Sequence, residues 1–132
     1  MNNNKRPFGL HLMVDAYHCD RKVLADANLL YEFLDKVPEK VAMKKMTKPY
    51  LVTTPGNGGH DPGGWSGFVL IEESHVSVHT FVKRGFVTID LYSCKFFDTE
   101  VVIKEIKKAF KTQDLEVYSQ VRGKKYPNEN IM

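Results

Sequence analysis

The spacing of apolar and polar positions predicts a chain of short strands interrupted by two helices. Apolar side chains recur at helical spacing over residues 21–36, and again in a later segment that we expect Asp98 or Thr99 to cap. We expect Asp20 to cap the first helix and the residue before Pro38 to end it. Shorter β-type runs predict strands at residues 8–17, 42–54, 66–73, 75–82, 86–93 and 115–121.

This β-α-β-β-β-β-α-β order, with hairpin-length breaks in its middle, indicates the α+β class. We expect a two-layer sandwich in which an antiparallel sheet carries both helices on one face. The whole chain, residues 1–132, has the length of a single domain. The face without helices is then solvated, binds a ligand or forms a dimer interface.

Composition and charge exclude several classes of protein. The formal net charge is only +3, and the basic residues are scattered, so no nucleic-acid partner is expected. No apolar run approaches the roughly 20 residues that cross a bilayer, and the start of the chain lacks a signal peptide. The cysteines, Cys19 and Cys94, form neither a C-x-x-C pair nor a disulfide framework. We therefore expect a cytoplasmic protein without a membrane association.

The most informative segment follows Ser74. If it is a strand, alternation places His75, Ser77 and His79 on one face and the valines between them on the other. Such a polar face is either solvated or functional, and the pattern alone favours neither. The two histidines would lie roughly 13 Å apart, too far to share one metal ion. A serine hydrolase is disfavoured because no G-x-S-x-G motif surrounds Ser74.

Residues 73–81 read Glu-Ser-His-Val-Ser-Val-His-Thr-Phe. This segment resembles the self-processing motif of prokaryotic S-adenosylmethionine decarboxylases, usually E-S-H-[LI]-[ST]-I-H-T-aromatic. The resemblance extends to Ser66-Gly67, to Asp-Leu-Tyr-Ser-Cys at residues 90–94, and to residues 11–20. Since several spaced matches agree with the chain length and the element order, the chain is identified as a proenzyme of this family.

The resemblance implies that the chain cuts itself between Glu73 and Ser74. Two pieces result, a β chain of residues 1–73 and an α chain of residues 74–132 whose first residue becomes a pyruvoyl group. In this family the residue matching His79 acts as the base in processing, and the one matching Ser66 assists by hydrogen bonding. The cofactor is therefore made from Ser74, and neither a metal nor pyridoxal phosphate is expected.

The resemblance also assigns roles in decarboxylation. The substrate amine forms a Schiff base with the pyruvoyl group from Ser74, and Cys94 matches the proton donor. An ordinary thiol suits this step because it is mostly protonated at neutral pH but still transfers its proton. Both cysteines could otherwise be small buried apolar residues, and Cys19 is interpreted in this way. Asp15 matches an acidic residue near the family's active site, which predicts a substrate-binding role.

Two places depart from the family pattern and concern the substrate. Where the family carries Pro-Glu, whose glutamate holds the ribose hydroxyls, this chain has Val82 and Lys83, and a lysine cannot accept hydrogen bonds. Where the family often places an aromatic that stacks on adenine, the chain offers His60 and Trp65.

We retain S-adenosylmethionine as the expected small-molecule substrate, converted to CO2 and to the decarboxylated aminopropyl donor for spermidine. Arginine or ornithine, decarboxylated by the same pyruvoyl chemistry in relatives, are the alternatives, and both also lead to polyamines. A different class of function is an unprocessed, non-catalytic binding subunit. The family further implies a homodimer of processed α/β units.

Overall fold

In the computed structural model, which describes residues 6–129, the chain forms a six-stranded antiparallel sheet with three helices. The predicted α+β two-layer class is confirmed. The strands are β1 (Gly9–Tyr17), β2 (Tyr50–Thr54), β3 (Gly64–Ile71), β4 (Ser74–Phe81), β5 (Phe86–Ser93) and β6 (Asp114–Arg122). The helices are α1 (Arg21–Leu24), α2 (Ala27–Lys40) and α3 (Thr99–Phe110), and a short 3-10 helix covers Val82–Arg84.

The strands lie in the order β2-β3-β4-β5-β1-β6, and every neighbouring pair is antiparallel. Alternate side chains of the central strands are fully buried and pack against the helices, as Val76 and Val78 of β4 and Ile89 and Leu91 of β5 show. The core therefore fills the space between sheet and helices. Within residues 6–129, no helix is long and apolar enough to span a membrane.

The first predicted helix, residues 21–36, is two helices. Asp20 caps α1 as expected, and its carboxylate accepts hydrogen bonds from the backbone N–H groups of Lys22 and Val23. The chain then leaves the helical path, and Asp26 caps α2 in the same way. Two aspartates six residues apart thus start two helices instead of one.

Side chains from the sheet explain why the helix breaks at this point. The hydroxyl of Thr80 donates to the carbonyl of Leu24 at 3.0 Å, and the indole N–H of Trp65 donates to the carbonyl of Ala25 at 3.0 Å. These carbonyls are satisfied by the sheet rather than by the next helical turn. The apolar spacing along the sequence contains no sign of these bonds.

The prediction that α2 ends before Pro38 is wrong, because the helix continues through this residue to Lys40. Pro38 lies in the last turn, so its missing N–H removes only one helical hydrogen bond. Its ring is buried, and its carbonyl accepts from the N–H groups of Val41 and Met43 at 3.2 and 2.8 Å.

The predicted strand 42–54 is wrong in its first part, since β2 begins only at Tyr50. The preceding residues form turns that lie against the end of β3, where the N–H of Met46 donates to the carbonyl of Leu70 at 2.8 Å. Lys45 is also tied to α2, because its ammonium group contacts Asp35 at 2.7 Å and Glu39 at 2.9 Å.

Candidate active site

The face of the sheet that points away from the helices carries three of the predicted site residues, Ser66, His79 and Asp15, and we call it the open face. On β4 it presents His75, Ser77 and His79, while Val76 and Val78 are fully buried on the other side. The alternation predicted from the sequence is therefore confirmed. Around them the open face adds Ser66, Phe68 and Leu70 of β3, Thr88, Asp90 and Tyr92 of β5, and His11, Met13 and Asp15 of β1.

Ser74 starts β4 directly after the tight turn that joins it to β3. Its φ angle is +152°, a value that residues with a side chain rarely adopt. Backbone conformations of this kind cost about 1–3 kcal/mol each and persist where the surrounding structure enforces them. The strain lies at the residue whose preceding peptide bond is the predicted cleavage site.

Neighbouring segments hold the turn on two sides. The backbone N–H of Cys94 donates to the carbonyl of Glu73 at 2.8 Å, and the N–H of Glu72 donates to the carbonyl of Lys44 at 2.9 Å. Ser74 itself pairs with Ser93, the last residue of β5. The structure thus brings Cys94, which is exposed, next to the Glu73–Ser74 peptide.

Ser66 and His79 form a second group. They are directly opposite in the β3–β4 register, and Nδ1 of His79 shares a 2.9 Å hydrogen bond with Oγ of Ser66. The same Oγ lies 3.1 Å from Oγ1 of Thr54. This group is five residues along β4 from Ser74, a distance of roughly 16 Å. One chain therefore brings Ser66 to His79 and brings Cys94 to the Glu73–Ser74 peptide, but keeps these two groups apart.

Asp15 lies on the open face at the His79 end. It is opposite Thr88 in the β1–β5 register, and Thr88 is opposite His79. Burial raises the pKa of Asp15 above its usual value, and the negative charges of Glu116 and Asp90 raise it further. Carboxylates from three strands are therefore concentrated on this part of the sheet.

The two aromatic candidates for substrate stacking differ in position. His60 is exposed in the loop between β2 and β3, and this loop is tied to the end of β4 by the hydrogen bond from Val82 N–H to Gly63 carbonyl, 3.3 Å. Trp65 instead packs against the core on the helix side, where its indole N–H bonds to Ala25. The sheet separates Trp65 from the open face.

A further cluster near the Ser74 end was not predicted from the sequence. Nε2 of His11 lies 2.9 Å from a carboxylate oxygen of Asp90, and the rings of His11 and His75 flank Tyr92 at 5.9 and 5.6 Å. Burial lowers the pKa of His75, and the nearby His11 lowers it further. The alternation in residues 9–17 and 86–93 indicates which side chains share a face of the sheet. It does not indicate that His11 lies beside Asp90, because that contact depends on the register of the two strands.

The edge of the open face at β2 and β3 is apolar. Tyr50, Val52, Phe68 and Leu70 are all exposed there, and the rings of Tyr50 and Phe68 lie 5.8 Å apart. The described part of the chain contains no group of three or more His, Cys, Asp or Glu side chains placed to hold a metal ion.

Comparisons with known proteins agree on one family. The model of the family described as S-adenosylmethionine decarboxylase matches residues 10–123. The S-adenosylmethionine decarboxylase proenzyme of Pyrococcus furiosus is 34% identical over 117 residues, which cover 87% of this chain and 78% of that protein. The proenzyme of the same name from Clostridium botulinum strain Langeland is 27% identical over 117 residues, covering 88% and 95%.

A solved structure has the same fold. The crystal structure of the adenosylmethionine decarboxylase from Aquifex aeolicus matches with a TM-score of 0.75 and 22% sequence identity. The match covers 96% of this chain and 99% of that one. The arrangement of sheet and helices is therefore shared over almost the whole length of both chains.

Proposed function

The chain belongs to the S-adenosylmethionine decarboxylase family, and on this premise we propose that it is a self-processing, pyruvoyl-dependent carboxy-lyase of polyamine biosynthesis. Its substrate is S-adenosylmethionine, and its products are CO2 and decarboxylated S-adenosylmethionine. The observation that carries the proposal is the strained backbone at the Glu73–Ser74 junction, where the Glu73 carbonyl accepts a hydrogen bond from the backbone N–H of Cys94.

Processing starts when the Ser74 hydroxyl attacks the carbonyl carbon of Glu73. A C–O bond forms, the peptide C–N bond breaks, and the freed nitrogen takes the hydroxyl proton, so that an ester replaces the amide. Removal of the Cα proton of Ser74 then expels the Glu73 carboxylate and leaves dehydroalanine. Tautomerisation and hydrolysis release ammonia and complete the pyruvoyl end of residues 74–132.

The surroundings of Ser74 fit this cofactor. Ser74 is half-buried at the end of a strand, so a new chain end can form there without rebuilding the sheet. The pyruvoyl ketone supplies an electron-withdrawing group that binds the substrate amine and stabilises the charge left when CO2 departs. Cys94 is held beside this position and donates a proton to the substrate Cα.

The separation of His79 from Ser74 supports a homodimer. Roughly 16 Å of β4 lies between them, so His79 cannot reach the Ser74 of its own chain. A second copy that packs on the open face in the opposite direction brings the partner's His79 to this Ser74. The exposed apolar edge at Tyr50, Phe68 and Leu70 provides surface for such packing.

The carboxylates on the open face support a cationic substrate that carries hydroxyl groups. S-adenosylmethionine has a positive sulfonium centre and two ribose hydroxyls, and carboxylates attract the first and accept hydrogen bonds from the second. Lys83 stands where the family has a glutamate, but it is exposed in the 3-10 turn and its ammonium group cannot accept a hydrogen bond. Asp15 is therefore the candidate for this role. The names of the relatives favour this substrate over arginine and ornithine.

The test combines mass spectrometry with CO2 trapping. The purified protein should yield fragments of residues 1–73 and 74–132, the second with a blocked N-terminus, whereas Ser74→Ala should remain whole. Processed protein should release labelled CO2 from carboxyl-labelled S-adenosylmethionine and not from arginine or ornithine. A chain that stays intact through long incubation would identify a binding subunit, and release from an amino acid alone would refute the substrate.

A further inference from the structure

We propose that the backbone N–H of Cys94 is a catalytic group of the self-cleavage step, where it binds the oxyanion that forms on Glu73. The proposal rests on the self-processing function given above and assigns that reaction a donor from the main chain. It separates the role of the Cys94 backbone in cutting from the role of the Cys94 thiol in decarboxylation.

The contact is already formed before any reaction. The N–H of Cys94 lies 2.8 Å from the carbonyl oxygen of Glu73, the atom that becomes the oxyanion. An oxyanion donor must lie about 2.7–3.1 Å from the charged oxygen, so a small shift of this oxygen during the attack keeps the contact. This oxygen belongs to the peptide bond that the Ser74 hydroxyl attacks. A donor at this position withdraws electrons from the carbonyl carbon and makes it a better target for the hydroxyl.

The charge on this oxygen grows during the attack. When Oγ of Ser74 bonds to the carbonyl carbon, the C=O double bond becomes a single bond and its oxygen takes the negative charge. The hydrogen bond from Cys94 is then charge-assisted and stronger than in the starting amide. When the C–N bond breaks, the electron pair on the oxygen re-forms the C=O double bond, and the nitrogen leaves with the C–N pair and takes the hydroxyl proton. The donor is then left on the ester carbonyl.

The segment that carries this donor is held rigidly. A Cβ atom on Gly9 would lie 2.1 Å from the carbonyl oxygen of Ser93 and 2.8 Å from Cα of Cys94, so β1 packs directly against the Cys94 backbone. The N–H of Lys95 donates to Oγ of Ser93 at 2.8 Å, and the Lys95 ammonium donates to the carbonyl of Ala42 at 2.9 Å. The donor therefore needs no reorganisation at the moment of attack.

The test compares three versions of the full chain, all prepared with Cys94→Ala so that the thiol plays no part. The first keeps a normal backbone. The second has an ester in place of the amide at residue 94, which replaces the N–H by an oxygen atom. The third has the ester at residue 95 and loses the N–H that bonds to Ser93. Cleavage at Glu73 is followed over time by intact mass.

We expect the first and third chains to cut at similar rates and the second to cut about 10²–10³-fold more slowly, the loss typical of one oxyanion donor. Equal rates for all three would overturn the inference and leave self-processing intact. If none of them cuts, and the unsubstituted protein does not cut either, the proposed function fails instead. Breakage at the engineered ester gives different masses and is not confused with cleavage at Glu73.

A second measurement does not depend on the ester chains folding. In the uncleavable Ser74→Ala protein, hydrogen exchange by NMR reports whether the amide of residue 94 is bonded. We expect this amide to be protected, and Gly9→Ala in the same background to remove the protection because its methyl group displaces the Cys94 backbone. Fast exchange at residue 94 without the Gly9 change would overturn the inference.

Discussion

At the scale of single residues, the two cysteines have opposite surroundings. Cys19 is only 6% exposed and packs in the core, and burial raises the pKa of its thiol to about 11. Cys94 is exposed immediately after β5. The interpretation of Cys19 as a structural residue agrees with this environment, whereas Cys94 is accessible to a substrate or a reagent.

Alkylation should distinguish the two thiols. Because the thiolate is the reactive form, iodoacetamide at pH 8 should modify Cys94 in the native protein and leave Cys19 unmodified. Peptide mass mapping measures both sites. The Cys94→Ala protein serves as the control and should take up reagent only after denaturation. Modification of Cys19 at the rate of Cys94 in the folded protein would contradict the buried placement.

Removing the Cys94 thiol should separate processing from turnover. Cys94→Ala should still cut at Glu73, because its backbone N–H is unchanged, but CO2 release should fall by about 10²–10⁴-fold, the range for loss of a general acid. Cys19→Ala is the matched control and should retain turnover once folded. Full CO2 release from Cys94→Ala would show that another group protonates the substrate.

Some of this residue-level arrangement could be predicted from the sequence. Alternation alone placed His75, Ser77 and His79 on one face, and the family resemblance pointed to Ser74 and Cys94. The hydrogen bond from Cys94 to Glu73 could not be predicted, because it depends on where the loop after β5 meets the β3–β4 turn. The position of Trp65 on the helix side could not be predicted either, because it depends on the register in which β3 pairs with its neighbouring strands.

At the scale of elements, the division of the first helix shows how tertiary contacts override apolar spacing. The sequence predicted a cap at Asp20 and another at Asp98 or Thr99, and the structure has caps at Asp20 and Asp98. It did not predict the break at Asp26, because that break depends on hydrogen bonds from Thr80 and Trp65. Residues distant in sequence thus decide where a helix starts.

The cap of α2 offers a measurable test. In the uncleavable Ser74→Ala background, Asp26→Ala should lower the free energy of unfolding by about 1 kcal/mol, because the N–H groups of Asn28 and Leu29 lose their acceptor. Urea denaturation gives the value. Asp26→Asn retains an acceptor oxygen and should recover most of the loss. An unchanged midpoint for Asp26→Ala would show that the cap contributes nothing.

At the scale of the whole molecule, the open face is the side of the sheet that the helices leave uncovered. The helices cover one side of the sheet. The other side keeps exposed apolar residues and the Ser66–His79 pair, and the turn that contacts Cys94 lies at the far end of β4. The sequence predicted such a face but could not assign which residues lie at which end of it. That assignment came from the registers of β3, β4 and β5.

Mixing two inactive chains should restore cleavage. His79→Ala lacks the processing base, and Ser74→Ala lacks the nucleophile, so neither should cut alone. When the two are folded together, the His79→Ala chain should be cut, because the partner's His79 reaches its Ser74. Intact mass identifies which chain is cut. Adding Phe68→Asp to both chains should abolish the rescue, and absence of any rescue without this change would refute a shared site.

The strand order determines how firmly two fragments cut at the β3–β4 turn would stay together. The proposed cut between Glu73 and Ser74 would assign β1 to β3 to one fragment and β4 to β6 to the other, yet β1 lies between β5 and β6. The fragments are therefore interleaved, and separating them requires three strand pairs to open. Once they do separate, the tether that kept their effective concentration high is gone, and reassembly becomes a bimolecular search. If the chain is cut as proposed, we expect the cut to follow folding and not to be reversed once the fragments have separated.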